Sequence, residues 1–157
     1  MKDGRWKMED GRWKMKDEKK MKNSEENHGY KKLKVYQLAH DLAVRVHGMT
    51  MGLPKFEMFE EGSQIRRSSK SVSSNIVEGY ALRRYKPEYI HYLMRALGSS
   101  LETVEHLDFL VETESLKDRD LHKQLFDEYR ELNAMPYRFI KSVESQHDTV
   151  RVGKITE

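Results

Sequence analysis

The sequence predicts an all-α protein, an antiparallel up-down four-helix bundle with a disordered N-terminal tail. Three observations carry this. From Leu33 onward apolar residues recur at a 3.6-residue period in four successive stretches. The connections between those stretches are short, which favours antiparallel neighbours. No strand-like alternation competes there. The expected organisation is a basic tail over residues 1–32, the bundle over 33–147 and a disordered C-terminal end over 148–157.

The first helix places Val35, Tyr36, Leu38, Ala39, Leu42, Ala43, Val46 and Met49 on its apolar side and stops at Gly52-Leu53-Pro54. The second runs from about Glu60 to Ala81 with Ile65, Ser69, Val72, Ile76 and Tyr80 on one face. The third opens with Pro87 in its first turn, where the missing N–H costs nothing. Its stripe reads Ile90, Leu93, Leu97, Leu101, Val104 and Leu107/Asp108, continuing to Leu110/Val111. The fourth starts near Asp118 and carries Leu121, Leu125, Tyr129, Leu132, Phe139, Ile140 and Val143. Pro136 falls inside that last pattern, which predicts a kink or break.

The tail differs from the rest. It holds a seven-residue near-repeat, GRWKMED (Gly4–Asp10) and GRWKMKD (Gly11–Asp17). Its Trp and Met residues stand two apart, not at the alternating spacing of a heptad coil, and a Gly recurs every seven residues. The expected state is therefore disorder. A basic tail with two Trp can bind RNA through phosphates and stacking. The preferred reading is plainer: a short DNA duplication, or a start codon placed upstream of Met8, Met15 or Met21.

Composition narrows the function classes. The 157 residues include no cysteine, which removes disulfide frameworks, thiolate zinc sites and Cys nucleophiles and fits a reducing cytoplasm. No apolar run approaches membrane-spanning length, so no membrane partner is expected. The net charge of +3 divides unevenly. Residues 1–32 hold 11 Lys+Arg against 7 Asp+Glu, leaving the remainder slightly negative. Within the bundle, residues 63–95 carry seven basic side chains against Glu78 and Glu88, and residues 101–131 carry ten acidic against four basic.

Such a basic segment can serve as a phosphate-binding patch. The candidate nucleic-acid-binding residues are Arg67, Lys70, Arg83, Arg84, Lys86 and Arg95, with Arg83-Arg84 at a helix–helix turn the most exposed. The competing expectation is that the patch pairs with the acidic segment. Arg66 lies nearer the core edge and reads as structural, and Glu78 and Glu102 read as partners for the arginines. On the faces away from the core, Ser71, Ser74, Gly98 and Ser99 form a candidate oligomer interface of small residues. A mid-helix Gly costs about 1 kcal/mol against Ala, which suggests close approach of another backbone. An ordinary solvated face is the alternative.

The segment SQIRRSSKSVSSNIVEGYALRRY (Ser63–Tyr85), RALGSSLETVEHL from Arg95, and the opening LKVYQLAHDLA with Leu53-Pro54 are more specific. Together they resemble the bacterial four-helix-bundle family encoded in ribosomal RNA intervening sequences, related to the accessory variability determinant of diversity-generating retroelements. The resemblance spans Leu33 to Val143. It implies a homo-oligomer, a pentameric ring, with contacts to RNA, DNA or a reverse transcriptase in the retroelement branch. Two departures from the family pattern are a weak cap at Tyr85-Lys86-Pro87 and the serine richness of the second helix.

An enzyme is not expected. Glu88-x-x-His91 and Glu144-x-x-His147 have the spacing of a di-iron motif. However, Glu88 and His91 lie roughly 120–180° from the third helix's stripe at 100° per residue. GSSLE sits inside a helix and is no phosphate loop, and the serines have no His–Asp partners. No cofactor and no metal site are expected. The function read from the sequence is a non-enzymatic, cytoplasmic, self-assembling bundle that binds RNA or DNA through basic surface. The alternatives are a protein–protein scaffold and a passenger without host function.

Overall fold

A computed structural model describes residues 6–9, 12–15 and 28–152. Helix α1 (Lys34–Met51) is followed by a short α2 (Lys55–Phe59), then α3 (Glu61–Ala81), α4 (Lys86–Glu112) and α5 (Arg119–Val152). The four long helices form the bundle; α2 lies in the α1–α3 connection. Neighbours in sequence pack on one another, and α5 closes against α1. Cross-seam partners show the directions. Glu61 meets His106, Ser68 meets Thr103 and Ser71 meets Ser99, so α3 and α4 run antiparallel. Asp108–His122 and Tyr89–Phe139 give the same relation for α4 and α5.

The apolar periodicity builds the centre. Leu42, Val46, Ile65, Val72, Ile76, Leu107, Leu110, Leu125, Tyr129 and Leu132 are buried in one cluster. On α4 the predicted stripe needs correction. Its inward face is Leu93, Ala96, Ser100, Thr103 and Leu107, whereas Leu101 is 54% exposed and Ile90, Leu97 and Val104 are only half-buried. Both sets have helical spacing. The set that faces inward is the smaller and more polar one, because α3 presents serines to it. Thr103 Oγ1 lies 2.9 Å from Ser68 Oγ and 2.8 Å from Ser99 O, between which its single proton is shared. The remaining serines of α3 turn their hydroxyls back on their own helix: Ser69 to Arg66 O, Ser73 and Ser74 to Lys70 O.

The ends obey local rules. Pro87 lies in the first turn of α4, and Tyr85 supplies no side-chain cap. Asp118 Oδ1 accepts the Leu121 N–H at 2.9 Å and caps α5. Before it, Glu114 takes a left-handed φ of 60°, and Leu116 folds back to bond Leu110 O at 2.7 Å. No break occurs at Pro136: α5 continues through it, with Pro136 buried. Helix α5 also extends to Val152, beyond the boundary at 147; residues 153–157 of the expected disordered end lie outside the described residues.

The N-terminal boundary moves as well. A 3-10 turn, Gly29–Lys32, precedes α1. Tyr30 packs edge-on against Tyr36 and Tyr80, with centroids at 4.9 and 6.2 Å, so the folded unit begins before Leu33. Within the tail, β1 (Trp6–Glu9) and β2 (Arg12–Met15) pair antiparallel, Trp6 opposite Met15 and Met8 opposite Trp13. The two-residue spacing of Trp and Met is thus a strand period. Much of the segment expected to be disordered (1–5, 10, 11 and 16–27) lies outside the described residues.

Tyr129 is fully buried, and its hydroxyl has no hydrogen-bond partner among the described residues. Burial pushes its phenol well above the ordinary tyrosine range. Tyr129→Phe is expected to raise stability by about 1 kcal/mol, read as a higher urea midpoint at unchanged slope. The folded state keeps this proton where the unfolded chain gives it up. Wild-type stability should therefore fall as pH rises past about 10, the ordinary phenol range, and fall less in Tyr129→Phe.

Candidate nucleic-acid interface

Helix phase divides the basic residues into two groups. Arg67 and Lys70 are exposed on α3, a turn apart along its outer side. Arg83, Arg84 and Lys86 gather around the α3–α4 turn, and Arg95 lies about 13 Å further along α4. Arg83 is the least free of them: its guanidinium lies over the Tyr80 ring at 4.0 Å and donates to Tyr80 O at 2.9 Å. Arg84 is exposed and Lys86 half-buried. Arg95 is exposed and sits 5.6 Å from the Tyr92 ring centre.

None of these six residues makes an ion pair among the described residues. Four carboxylates of the acidic segment have basic neighbours elsewhere. Glu128 takes Arg45 at 2.5 Å. Asp108 takes His122 at 2.8 Å, Asp127 takes Lys123 at 2.6 Å, and Glu102 lies 3.6 Å from His106. Pairing of the basic patch with the acidic segment within one chain is therefore not the arrangement of the described residues. Glu78 and Glu102 likewise turn from the arginines. Glu102 faces His106, and Glu78, hydrogen-bonded to Tyr92, holds that phenol above its ordinary range.

Arg66 is a strut, as its position near the core suggests. Its guanidinium donates to Thr50 Oγ1 and to Met58 O, both at 3.0 Å, tying α1 and α2 to α3.

The four small residues do not share one surface. Ser71 and Ser99 hydroxyls meet at 3.0 Å across the α3–α4 seam, and Asn75 donates to Ser71. Ser74, exposed one turn on, borders the groove toward α1 instead. Gly98 is exposed, and a methyl added there would meet nothing within 4 Å. Beside it α4 shows an apolar strip: Met94 and Leu101 are exposed and Leu97 half-buried.

Glu88 and His91 are exposed on α4. The side chains of Glu144 and His147 lie outside the described residues. Among the described residues no group of three or more His, Asp or Glu converges as a metal site, and no helix is long and apolar enough to cross a membrane.

Comparison with known proteins settles the family. The sequence profile of the 23S rRNA-intervening sequence proteins matches residues 31–138, more than half of the chain. The chain belongs to the 23S rRNA-intervening sequence protein family. A solved structure from Bacteroides thetaiotaomicron VPI-5482, described as a protein with unknown function from the S23 ribosomal protein family, is similar to this family member. It is 27% identical, with a TM-score of 0.60, over 68% of this chain and 98% of that one. No curated protein matches.

The profile begins at Lys31, in the 3-10 turn, and so agrees with the earlier start of the folded unit. What sequence reasoning missed in this intervening sequence protein are the cross-seam pairs: Arg45–Glu128, His106–Glu61 and His122–Asp108. Each joins residues far apart in the chain, so no local spacing signals them. Local spacing signals only pairs one turn apart, such as Asp41–Arg45, Glu102–His106 and Lys123–Asp127.

Proposed function

We propose that this 23S rRNA-intervening sequence protein is a non-enzymatic, self-associating bundle that binds nucleic acid through the basic surface of α3 and the α3–α4 turn. One observation supports it most. The candidate cations Arg67, Lys70, Arg83, Arg84, Lys86 and Arg95 have no carboxylate partners among the described residues, while Glu128, Asp108, Asp127 and Glu102 of residues 101–131 lie against Arg45, His122, Lys123 and His106. Solvated, unneutralised cations are the groups that release counterions from a phosphate backbone.

The open Gly98 and the exposed Met94 and Leu101 support self-association. In a pentameric ring, the size the resemblance implies, a weak patch is repeated on every subunit and avidity raises affinity without base-specific contacts. Arg84→Ala/Lys86→Ala/Arg95→Ala is expected to lower RNA retention and to reduce the slope of log affinity against log salt by about 3, close to one per lost phosphate contact. Unchanged retention would turn the same surface into a protein-docking face, for a reverse transcriptase or another acidic partner. Light scattering tests the assembly, and a monomer at micromolar concentration would remove it.

A further inference from the structure

The groove between α1 and α3 has a composition that no local motif announces. It encloses about 420 Å³ and is lined by His40, Val44, His47, Lys70, Ser73 and Ser74. Arg67 lies one turn from Lys70, and the His40 ring stacks on Tyr36 at 5.6 Å with 27° between planes. The two helices carry three carboxylates, and all three are turned to other seams. Asp41 lies 3.6 Å from Arg45, which reaches Glu128 of α5. Glu61 bonds His106 of α4, and Glu78 bonds Tyr92 of α4. The groove thus combines the apolar Ala43 and Val44 with Lys70, two imidazoles and two hydroxyls, and no acid lines it.

We infer that the α1–α3 groove seats one strand of RNA, with Lys70 and Arg67 on phosphates and the exposed imidazoles of His40 and His47 against bases. This rests on the nucleic-acid reading above and assigns it a place that the α3–α4 turn does not include. Three features select the occupant. Cations without carboxylates complement a phosphodiester chain. Packed helix axes lie about 8–10 Å apart, so the furrow between them admits a single strand and not a duplex. The Ser73 and Ser74 hydroxyls give their protons to Lys70 O, so they face the groove as acceptors. A ribose 2′-hydroxyl can donate to them; deoxyribose cannot.

The absence of cysteine makes a direct test possible. Val44 is 59% exposed in the groove and Leu101 is 54% exposed on α4, so Val44→Cys and Leu101→Cys each place one thiol without disturbing the core. A short single-stranded RNA at saturation is expected to slow alkylation of Val44→Cys and to leave Leu101→Cys unchanged. DNA of the same sequence should protect less, and duplex RNA not at all. His40→Ala/His47→Ala should weaken RNA binding at least about thirtyfold, the loss of two stacking contacts, with helical circular dichroism unchanged. Lys70→Ala should lower the salt slope by about 1. RNA binding without protection of Val44→Cys overturns the groove assignment and leaves the nucleic-acid reading standing. Equal protection by DNA overturns the choice of RNA. Failure of the wild-type chain to bind any of these oligonucleotides overturns both.

Discussion

Leu107→Ala is expected to lower the unfolding free energy by about 2–5 kcal/mol, the cost of deleting a fully buried leucine from a packed core. Leu101→Ala, by contrast, should change it by no more than about 0.5 kcal/mol, as surface substitutions do. Both residues belong to the apolar stripe predicted for α4, and hydrophobicity alone makes them equal. The structure separates them: Leu107 has no exposed surface, and Leu101 keeps 54%. Urea unfolding of the two variants, with midpoints compared at a common slope, checks the rotation of α4 directly. Equal losses would mean that α4 faces inward with its more apolar side. If the protein assembles through α4, Leu101→Ala should weaken self-association while sparing subunit stability, and light scattering reads the difference.

Gly62→Ala should carry the next largest effect, a loss of about 1–3 kcal/mol from overpacking. Within a helix the same change ordinarily gains about 1 kcal/mol. Here the added methyl would lie 2.9 Å from Glu57 O and 3.3 Å from both Arg66 Nη1 and Leu53 Cδ1. The carbonyl belongs to the backbone of α2 and cannot swing aside, and displacing Arg66 disturbs its bonds to Thr50 and Met58. Gly98→Ala is the matched contrast. With nothing within 4 Å of the new methyl, the isolated chain should gain up to about 1 kcal/mol. Thermal midpoints are a sensitive readout, since about 1 kcal/mol moves a domain of this size by several degrees. If Gly98 lies against another subunit, Gly98→Ala should at the same time weaken assembly.

These two pairs show where local pattern runs out. Gly62 and Gly98 are both helical glycines, and only the neighbouring chain distinguishes a close approach to Glu57 from open surface. Arg66 and Arg67 are adjacent and chemically alike. One reaches Thr50 and Met58, and the other stays in solvent, because 100° of helix separates them. Arg66 could be placed from its phase relative to Ile65; the identity of its partners could not. The basic patch was legible as a charge imbalance along the sequence. Its division into a pair on α3 and a group toward the α3–α4 turn, with Glu128, Asp108 and Asp127 turned to Arg45, His122 and Lys123, is a product of packing.

The number of long helices, their order and most of their ends follow from contiguous stretches of sequence. Apolar residues at a 3.6-residue period, Pro87 at a helix start and Gly52-Leu53-Pro54 at a helix stop act within a few residues of themselves. The N-terminal alternation of Trp and Met carried a strand period in the same local way. The inward face of α4 was of a different kind. Two stripes on that helix have the correct spacing and share Leu93 and Leu107, and between those two the larger Leu97 and Leu101 are not the side chains that face in. Ser68 and Ser71 on α3 pair with Thr103 and Ser99, so the smaller stripe turns inward and leaves Met94 and Leu101 at the surface. Hydrophobicity is counted residue by residue, but which face is buried depends on the fit of two helices that meet only in the folded chain.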